Sequence, residues 1–117
     1  MSNNNPADER KVSMIYTLDE LREKIRPIAE AYALPAVYIF GSYARGEATE
    51  DSDVDILIKS EGSNAKGLRY FGMYDEFSSA LSKKVDVMDT SFLKDPEERK
   101  WSPWIIANVM KDRVRIL

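Results

Sequence analysis

The sequence contains neither cysteine nor histidine, and these two absences narrow its chemistry before any motif is considered. Without cysteine the chain has no disulfide, no thiolate nucleophile and no cysteine-ligated zinc site. Without histidine, a proton acceptor near neutral pH must be a carboxylate, a lysine or a water molecule. A metal site must therefore be built from oxygen ligands, which favour hard cations such as Mg²⁺ or Mn²⁺.

Long apolar runs and a strong positive charge are also missing. No stretch is long enough to span a bilayer, and residues 1–11 are polar, without the apolar core of a signal peptide. We therefore expect a cytoplasmic protein with no membrane partner. The net charge of −3 argues against strong nucleic-acid binding through a broad basic surface. We expect a mobile N-terminal tail over residues 1–14 and a single domain over residues 15–117.

Hydrophobic periodicity predicts alternating helices and strands. A capping box formed by Thr17 and Glu20 opens a first helix with apolar residues at helical spacing. Short β-rich runs predict strands over 36–40, 53–59, 84–88 and 114–117. Further helices are predicted over 41–46, over 65–82 and after Pro96. We assign the apolar faces of the last two helices to Leu68, Phe71, Tyr74, Phe77 and Leu81, and to Trp101, Trp104, Ile105 and Val109.

The polar residues at the strand ends indicate the strand directions. Gly41 ends the first strand and Asp53 begins the second, so the two strands must be antiparallel if both residues serve one site. The helical crossover from the second strand to the third favours a parallel pair, which brings Asp86 beside Asp53 and Asp55. The predicted fold class is therefore α/β (α+β), with a small mixed β-sheet and helices packed mainly on one face.

Asp53 and Asp55 are the first candidate site residues. Two residues apart on a strand, they point to the same face with Cβ atoms roughly 6–7 Å apart. Two such carboxylates repel each other unless a cation lies between them, and phosphate oxygens would complete the octahedron of a divalent ion. With Asp86, three carboxylates suffice for two metal ions. Read singly, Asp53 and Asp55 are better explained as edge-strand charges that prevent aggregation, and Asp86 as a solvated strand residue. The three together, after a Gly-Ser turn, favour a metal site instead.

Gly41 and Ser42 are the second candidate feature, because they stand where a strand enters a short helix. Backbone N–H groups and a hydroxyl at such a turn favour phosphate binding. Arg45, one turn further on, adds a cation for charge-assisted hydrogen bonds. Read alone, these residues form a generic turn with a surface cation, and it is their combination with the carboxylates that favours a nucleotide site.

The combined pattern resembles the signature of the DNA polymerase β-like nucleotidyltransferase superfamily. The matching segments are Gly-Ser-Tyr-Ala-Arg-Gly at 41–46, Ser-Asp-Val-Asp-Ile-Leu at 52–57, and Asp86 on the next strand. Within that superfamily the chain is most similar to the minimal nucleotidyltransferases of bacteria and archaea, and the resemblance covers residues 17–117. It implies the nucleotidyltransferase fold.

The resemblance also implies roles for these residues. Asp53, Asp55 and Asp86 would be the metal ligands and catalytic carboxylates for two Mg²⁺ ions, Mn²⁺ being an alternative. Gly41, Ser42 and Arg45 would bind the triphosphate of ATP. The expected reaction is transfer of a nucleoside monophosphate, AMP in the first instance, to an acceptor hydroxyl.

The acceptor is inferred from the family alone. Minimal nucleotidyltransferases pair with small helical HEPN-type proteins as antitoxin and toxin, so we expect a tyrosine of such a partner to be modified. Two alternatives stay open: a non-catalytic binding antitoxin, and a homo-oligomer that modifies a small aminoglycoside-like molecule. Trp101, Trp104 and Ile105 either pack on the sheet, which we expect for at least one tryptophan, or form a partner surface.

Overall fold

Four β-strands form one mixed sheet, which sets the topology of the chain. The computed structural model describes residues 15–93 and 103–117. Within them the strands are β1 (Ala36–Phe40), β2 (Val54–Lys59), β3 (Val85–Asp89) and β4 (Val114–Arg115), in the spatial order β3-β2-β1-β4. β1 is antiparallel to β2 and β4, whereas β2 and β3 are parallel. The predicted strand directions and fold class are confirmed.

Two long helices, α1 (Leu18–Ala31) and α3 (Leu68–Leu81), contribute to the main core on one face of the sheet. The predicted capping box opens α1, with Thr17 Oγ1 accepting from the Glu20 amide at 3.0 Å and Glu20 accepting from the Thr17 amide at 2.8 Å. Both helices bury apolar side chains completely against the sheet. The helical ones are Leu21, Ile25, Met73, Phe77 and Leu81, and those of the strands are Val37, Ile39, Val54, Ile56, Ile58 and Val85.

A further helix, α4 (Pro103–Asp112), covers the other face of the sheet. Its Val109 is buried in a second apolar cluster with Leu57 and Met88, so this face is not left open to solvent. Side chains alternate between the faces of a strand, and Asp55 therefore lies on the same face of β2 as Leu57. The acidic face of the sheet is thus the one on which α4 packs.

The predicted apolar face of α3 is wrong over its first turn. Leu68 and Phe71 are 87% and 68% exposed, whereas Met73 is buried with Phe77 and Leu81. Each residue rotates the position of its side chain by about 100° about the helix axis. Three residues therefore fall short of a full turn, and side chains spaced by three move steadily around the helix. Leu68 and Phe77, nine residues apart, therefore point about 180° away from each other.

The same argument corrects part of the predicted face of the last helix. Ile106 and Val109 are buried, but Trp104 is 74% exposed. Trp104 lies five positions before Val109, which turns it roughly 140° away from Val109 around the helix. Trp101, Pro96 and the predicted tail over residues 1–14 lie outside the described residues. Among the helices that the structure describes, none combines the length and apolar character needed to cross a membrane.

The short helix α2 (Gly41–Arg45) connects the end of β1 to the loop before β2 and begins with a glycine in a left-handed conformation. Gly41 has φ +69°, and a Cβ atom placed there would stand 3.1 Å from Cγ of Asp55 and overlap its Oδ2 atom. Gly46 ends the helix with φ +74°, but a Cβ atom there would meet nothing within 4 Å. Only Gly41 therefore combines backbone strain with a close approach to a candidate site residue.

We predict that Gly41→Ala destabilises the protein more than Gly46→Ala. Both changes force an alanine into the left-handed region, at a cost of about 1–2 kcal/mol. Only the first adds a steric overlap, which costs roughly a further 1–3 kcal/mol. Urea unfolding of both variants measures the difference.

The overlap itself is tested by combining Gly41→Ala with Asp55→Ala. Removing the carboxylate should bring the destabilisation by Gly41→Ala down to that of Gly46→Ala. An unchanged cost in the Asp55→Ala background would show that this carboxylate is not what requires glycine at position 41.

Candidate active site

The parallel pairing of β2 and β3 brings two of the predicted carboxylates together. Asp55 and Asp86 are register partners in this ladder, close enough for the Asp86 carboxylate to raise the pKa of Asp55. Asp53 lies immediately before β2, close enough for its charge to act on Asp55. Asp86 is exposed, while Asp53 and Asp55 are partly buried. The three acidic residues that the sequence pattern grouped are therefore neighbours at one end of the two strands.

This grouping changes the acidity of Asp55. Burial raises its pKa most, the neighbouring charges of Asp86 and Asp53 raise it further, and the guanidinium of Arg45 opposes them. Together these effects raise the pKa of Asp55 from the ordinary 3.8 to about 7. The site thus holds more negative charge than its own cations compensate, a condition that a bound cation would relieve.

The carboxylates do not by themselves form a finished metal centre. Within residues 15–93 and 103–117, no group of three acidic side chains is arranged to hold a metal ion. The chemistry of the donor set nevertheless fits Mg²⁺, which takes oxygen ligands and is commonly bound by one or two carboxylates together with substrate phosphates. The residues thus match a cation that enters with a phosphate-bearing substrate better than a permanently occupied protein cage.

The glycine turn approaches this group from β1. Gly41 is packed against Asp55, and Ser42 follows it in the first turn of α2. The Ser42 hydroxyl makes no hydrogen bond with any residue that the structure describes, so it is available as a donor. The predicted turn and the predicted carboxylates therefore meet, although they are separated in sequence by a polar loop.

Arg45 is already engaged by two carboxylates. Its Nε donates to Glu47 at 2.9 Å, and one terminal nitrogen donates to Asp112 of α4 at 3.1 Å. The Asp112 side chain is only 15% exposed, whereas that of Arg45 is 43% exposed. Arg45 therefore links α2 to α4, a connection that the sequence analysis did not predict.

A cleft of about 440 Å³ opens between this site and α4. Gly41, Arg45 and Asp55 line it on one side; Asp53, Ser42 and Asp86 are not among its lining residues. On the other side α4 contributes Trp104, Asn108, Val109, Lys111 and Asp112. The sequence analysis assigned no site role to Asn108 or Asp112. Helical spacing could have grouped them with Trp104 and Lys111, but not shown that their face meets Asp55.

We predict that Asp55→Asn stabilises the metal-free protein at pH 8 and not at pH 3.5. Between pH 4 and pH 7 the unfolded chain loses this proton while the folded protein retains it, so wild-type stability falls as the pH rises through that window. The asparagine variant avoids this loss, and its advantage above pH 7 should be on the order of 1 kcal/mol after allowance for solvent screening.

Urea unfolding in a metal chelator at several pH values measures this dependence. Asp51→Asn, at an exposed carboxylate of the preceding loop, is the matched control and should shift stability little at any pH. A pH-independent effect of Asp55→Asn would contradict the assigned electrostatics.

Comparison with known proteins identifies the family. The model of the nucleotidyltransferase domain family matches residues 18–116, nearly the whole described chain. Protein adenylyltransferase MntA of Thermococcus cleftensis is 34% identical over 82 residues, which cover 67% of this chain and 82% of that protein. Residues 18–116, which the family model matches, contain the glycine turn, the strands and the three carboxylates described above.

Solved structures show the same fold. A chain in a crystal structure of a toxin-antitoxin with AMP-PNP superposes with a TM-score of 0.61 at 23% identity, covering 82% of this chain and 72% of that one. A chain in the structure of a tri-AMPylated Shewanella oneidensis HEPN toxin with an MNT antitoxin gives 0.57 at 19% identity, covering 86% and 72%. Because the family model spans residues 18–116 and MntA is 34% identical over 82% of its own length, the chain belongs to the nucleotidyltransferase domain family and is a nucleotidyltransferase.

Proposed function

We propose that this protein is a cytoplasmic, Mg²⁺-dependent adenylyltransferase that transfers AMP from ATP to a hydroxyl group of a partner protein. The observation that carries the proposal is the Asp55–Asp86 pair, with Asp53 beside it and Gly41 packed against it at the mouth of a cleft. A cleft of about 440 Å³ is within the usual range for sites that bind small molecules.

The carboxylates would hold the metal together with the phosphates of the nucleotide, not alone. Asp53, Asp55 and Asp86 supply oxygen ligands only, and the raised pKa of Asp55 means that a cation would be bound in exchange for a proton near neutral pH. When bound, Mg²⁺ would neutralise charge on the phosphates and lower the pKa of a coordinated hydroxyl. The parallel β2–β3 ladder fixes Asp55 and Asp86 relative to each other before any ligand arrives.

The glycine turn would bind the phosphates. The absence of a side chain at Gly41 permits the close approach to Asp55, and the Ser42 hydroxyl has no competing partner in the described part of the chain. Arg45 stands at the same cleft, but its ion pairs with Glu47 and Asp112 must be shared or exchanged before it contacts a phosphate. We therefore assign the turn to direct binding and Arg45 to holding the cleft together.

The proposed reaction is an in-line displacement at the α-phosphorus of ATP. The acceptor oxygen forms a bond to that phosphorus, the bond to the bridging oxygen of the β-phosphate breaks, and pyrophosphate departs with the electron pair. The hydroxyl proton passes to a carboxylate of the site, and we assign this role to Asp86 because it is the exposed member of the pair. No covalent intermediate with the protein is needed, since positioning and charge stabilisation lower the barrier.

The nature of the acceptor is supported by the relatives. One is named a protein adenylyltransferase, and one structure of the same fold contains an AMPylated HEPN toxin with an MNT antitoxin. We infer that the acceptor is a tyrosine of a small helical HEPN-type toxin and that AMP transfer neutralises it. On this account the protein is the antitoxin of a toxin–antitoxin pair.

We predict that Asp53→Asn combined with Asp55→Asn lowers AMP transfer at least about a hundredfold, because charge stabilisation at the reacting phosphate is lost. Neither side chain belongs to the apolar core, so the variant should keep its fold and its affinity for the partner. Transfer of label from ATP carrying ³²P at the α-phosphate to the co-purified helical partner measures the rate.

The matched control is Asp51→Asn, two residues before Asp53 in the loop, which should transfer AMP at the wild-type rate. Undiminished transfer by the double variant would show that the site is assigned wrongly. A tight complex without transfer by the wild-type protein would favour an antitoxin that acts by binding alone.

A further inference from the structure

Helix α4 presents one row of side chains to the cleft. Trp104, Asn108 and Lys111 follow each other at spacings of four and three residues, so they lie on one side of the helix. Trp104 is 74% exposed although it is the largest side chain of this helix. An exposed indole next to a polar amide and an ammonium, all lining one cleft, is not explained by packing on the sheet.

Lys111 differs from the other cation of the cleft. Arg45 is held by Glu47 and Asp112, whereas the ammonium of Lys111 makes no ion pair or hydrogen bond with the residues that the structure describes. The strongest uncompensated positive charge at the cleft therefore comes from α4. Lys111 lines the same cleft as Asp55, whose carboxylate is repelled by its acidic neighbours. A phosphate group with a bound metal ion would offer negative charge to Lys111 and positive charge to the carboxylates.

The direction of α4 is fixed by the Arg45–Asp112 ion pair. Its nitrogen–oxygen distance of 3.1 Å places the C-terminal end of α4 beside α2 and the glycine turn. Seven residues of helix separate Lys111 from Trp104, a rise of about 10.5 Å. Lys111 therefore lies at the end of the cleft proposed for phosphates, and Trp104 lies two helical turns away from it.

Asn108, between these two residues, has a defined hydrogen-bonding polarity. Its Nδ2 donates to the carbonyl oxygen of Trp104 at 3.0 Å, which leaves Oδ1 as an acceptor without a partner in the described part of the chain. The amino group of adenine is a donor, whereas guanine carries a carbonyl oxygen at the corresponding position. In this orientation Oδ1 would accept from the amino group of adenine but could make no hydrogen bond with the carbonyl oxygen of guanine.

We propose that α4 is the second wall of the nucleotide site and sets both the direction and the base preference of the bound nucleotide. The base stacks on Trp104, Asn108 accepts from the amino group of adenine, and Lys111 contacts the phosphates. This assignment rests on the proposed function, since it takes the cleft as the ATP site, and it adds the residues that select adenine.

Binding of non-hydrolysable ATP and GTP analogues, measured by calorimetry with Mg²⁺ and without any acceptor, tests this proposal. Trp104→Ala should weaken the ATP analogue roughly tenfold, because base stacking is lost, and Trp104→Phe should restore most of the affinity. Lys111→Ala should weaken both analogues about tenfold, since a charge-assisted hydrogen bond is lost. Asn108→Ala should lower the preference for ATP over GTP roughly two- to tenfold.

Phe71→Ala and Lys66→Ala are the matched controls, since both side chains are exposed and neither lines the cleft. They should leave both affinities unchanged, and all variants should unfold at the wild-type urea concentration. If the wild type binds the ATP analogue but Trp104→Ala and Lys111→Ala bind it equally well, the α4 assignment is overturned while the proposed function stands.

The remaining outcomes also have definite meanings. If Trp104→Ala keeps its affinity for the ATP analogue but loses the partner protein, this face of α4 docks protein and the nucleotide assignment is overturned. If the wild type binds neither analogue with Mg²⁺ present, the proposed function itself fails, and the inference fails with it.

Discussion

The contact on which the site depends is the pairing of Asp55 with Asp86 across the parallel strands β2 and β3. A backbone ladder holds two carboxylates side by side, and the partial burial of Asp55 makes the resulting repulsion costly. Such a pair weakens the folded state at neutral pH unless positive charge arrives, so its presence is better explained by binding than by stability. Gly41 belongs to the same arrangement, because a side chain there would occupy the space of the Asp55 carboxylate.

The sequence predicted this arrangement because strand periodicity places side chains without ambiguity. Alternation along 54–59 put Ile56 in the core and Asp55 on the other face, and the observed burial agrees. The antiparallel and parallel pairings followed from requiring strand ends to meet and from the helical crossover, and both were confirmed. The roles of the site residues are proposals that rest on this geometry and on the family.

Helix faces were predicted less well, and the reason is geometric. A strand has two faces, but a helix distributes side chains over a full circle, so an error of one residue turns the face by about 100°. Phe71 and Trp104 were assigned to apolar faces and are exposed. The Arg45–Asp112 ion pair joins residues 67 positions apart, and no local pattern reveals such a contact. The second wall of the cleft therefore emerged only with the packing of α4 on the acidic face.

The most direct test of the account is the intact mass of the proposed partner protein. The protein encoded next to this one is co-expressed and co-purified with it, and the partner is weighed with and without added ATP and Mg²⁺. The account predicts a mass gain of one or more AMP units with the wild-type protein and none with the variant that lacks Asp53 and Asp55. A stable complex whose partner never gains mass would contradict catalysis by this site and leave inhibition by contact as the explanation.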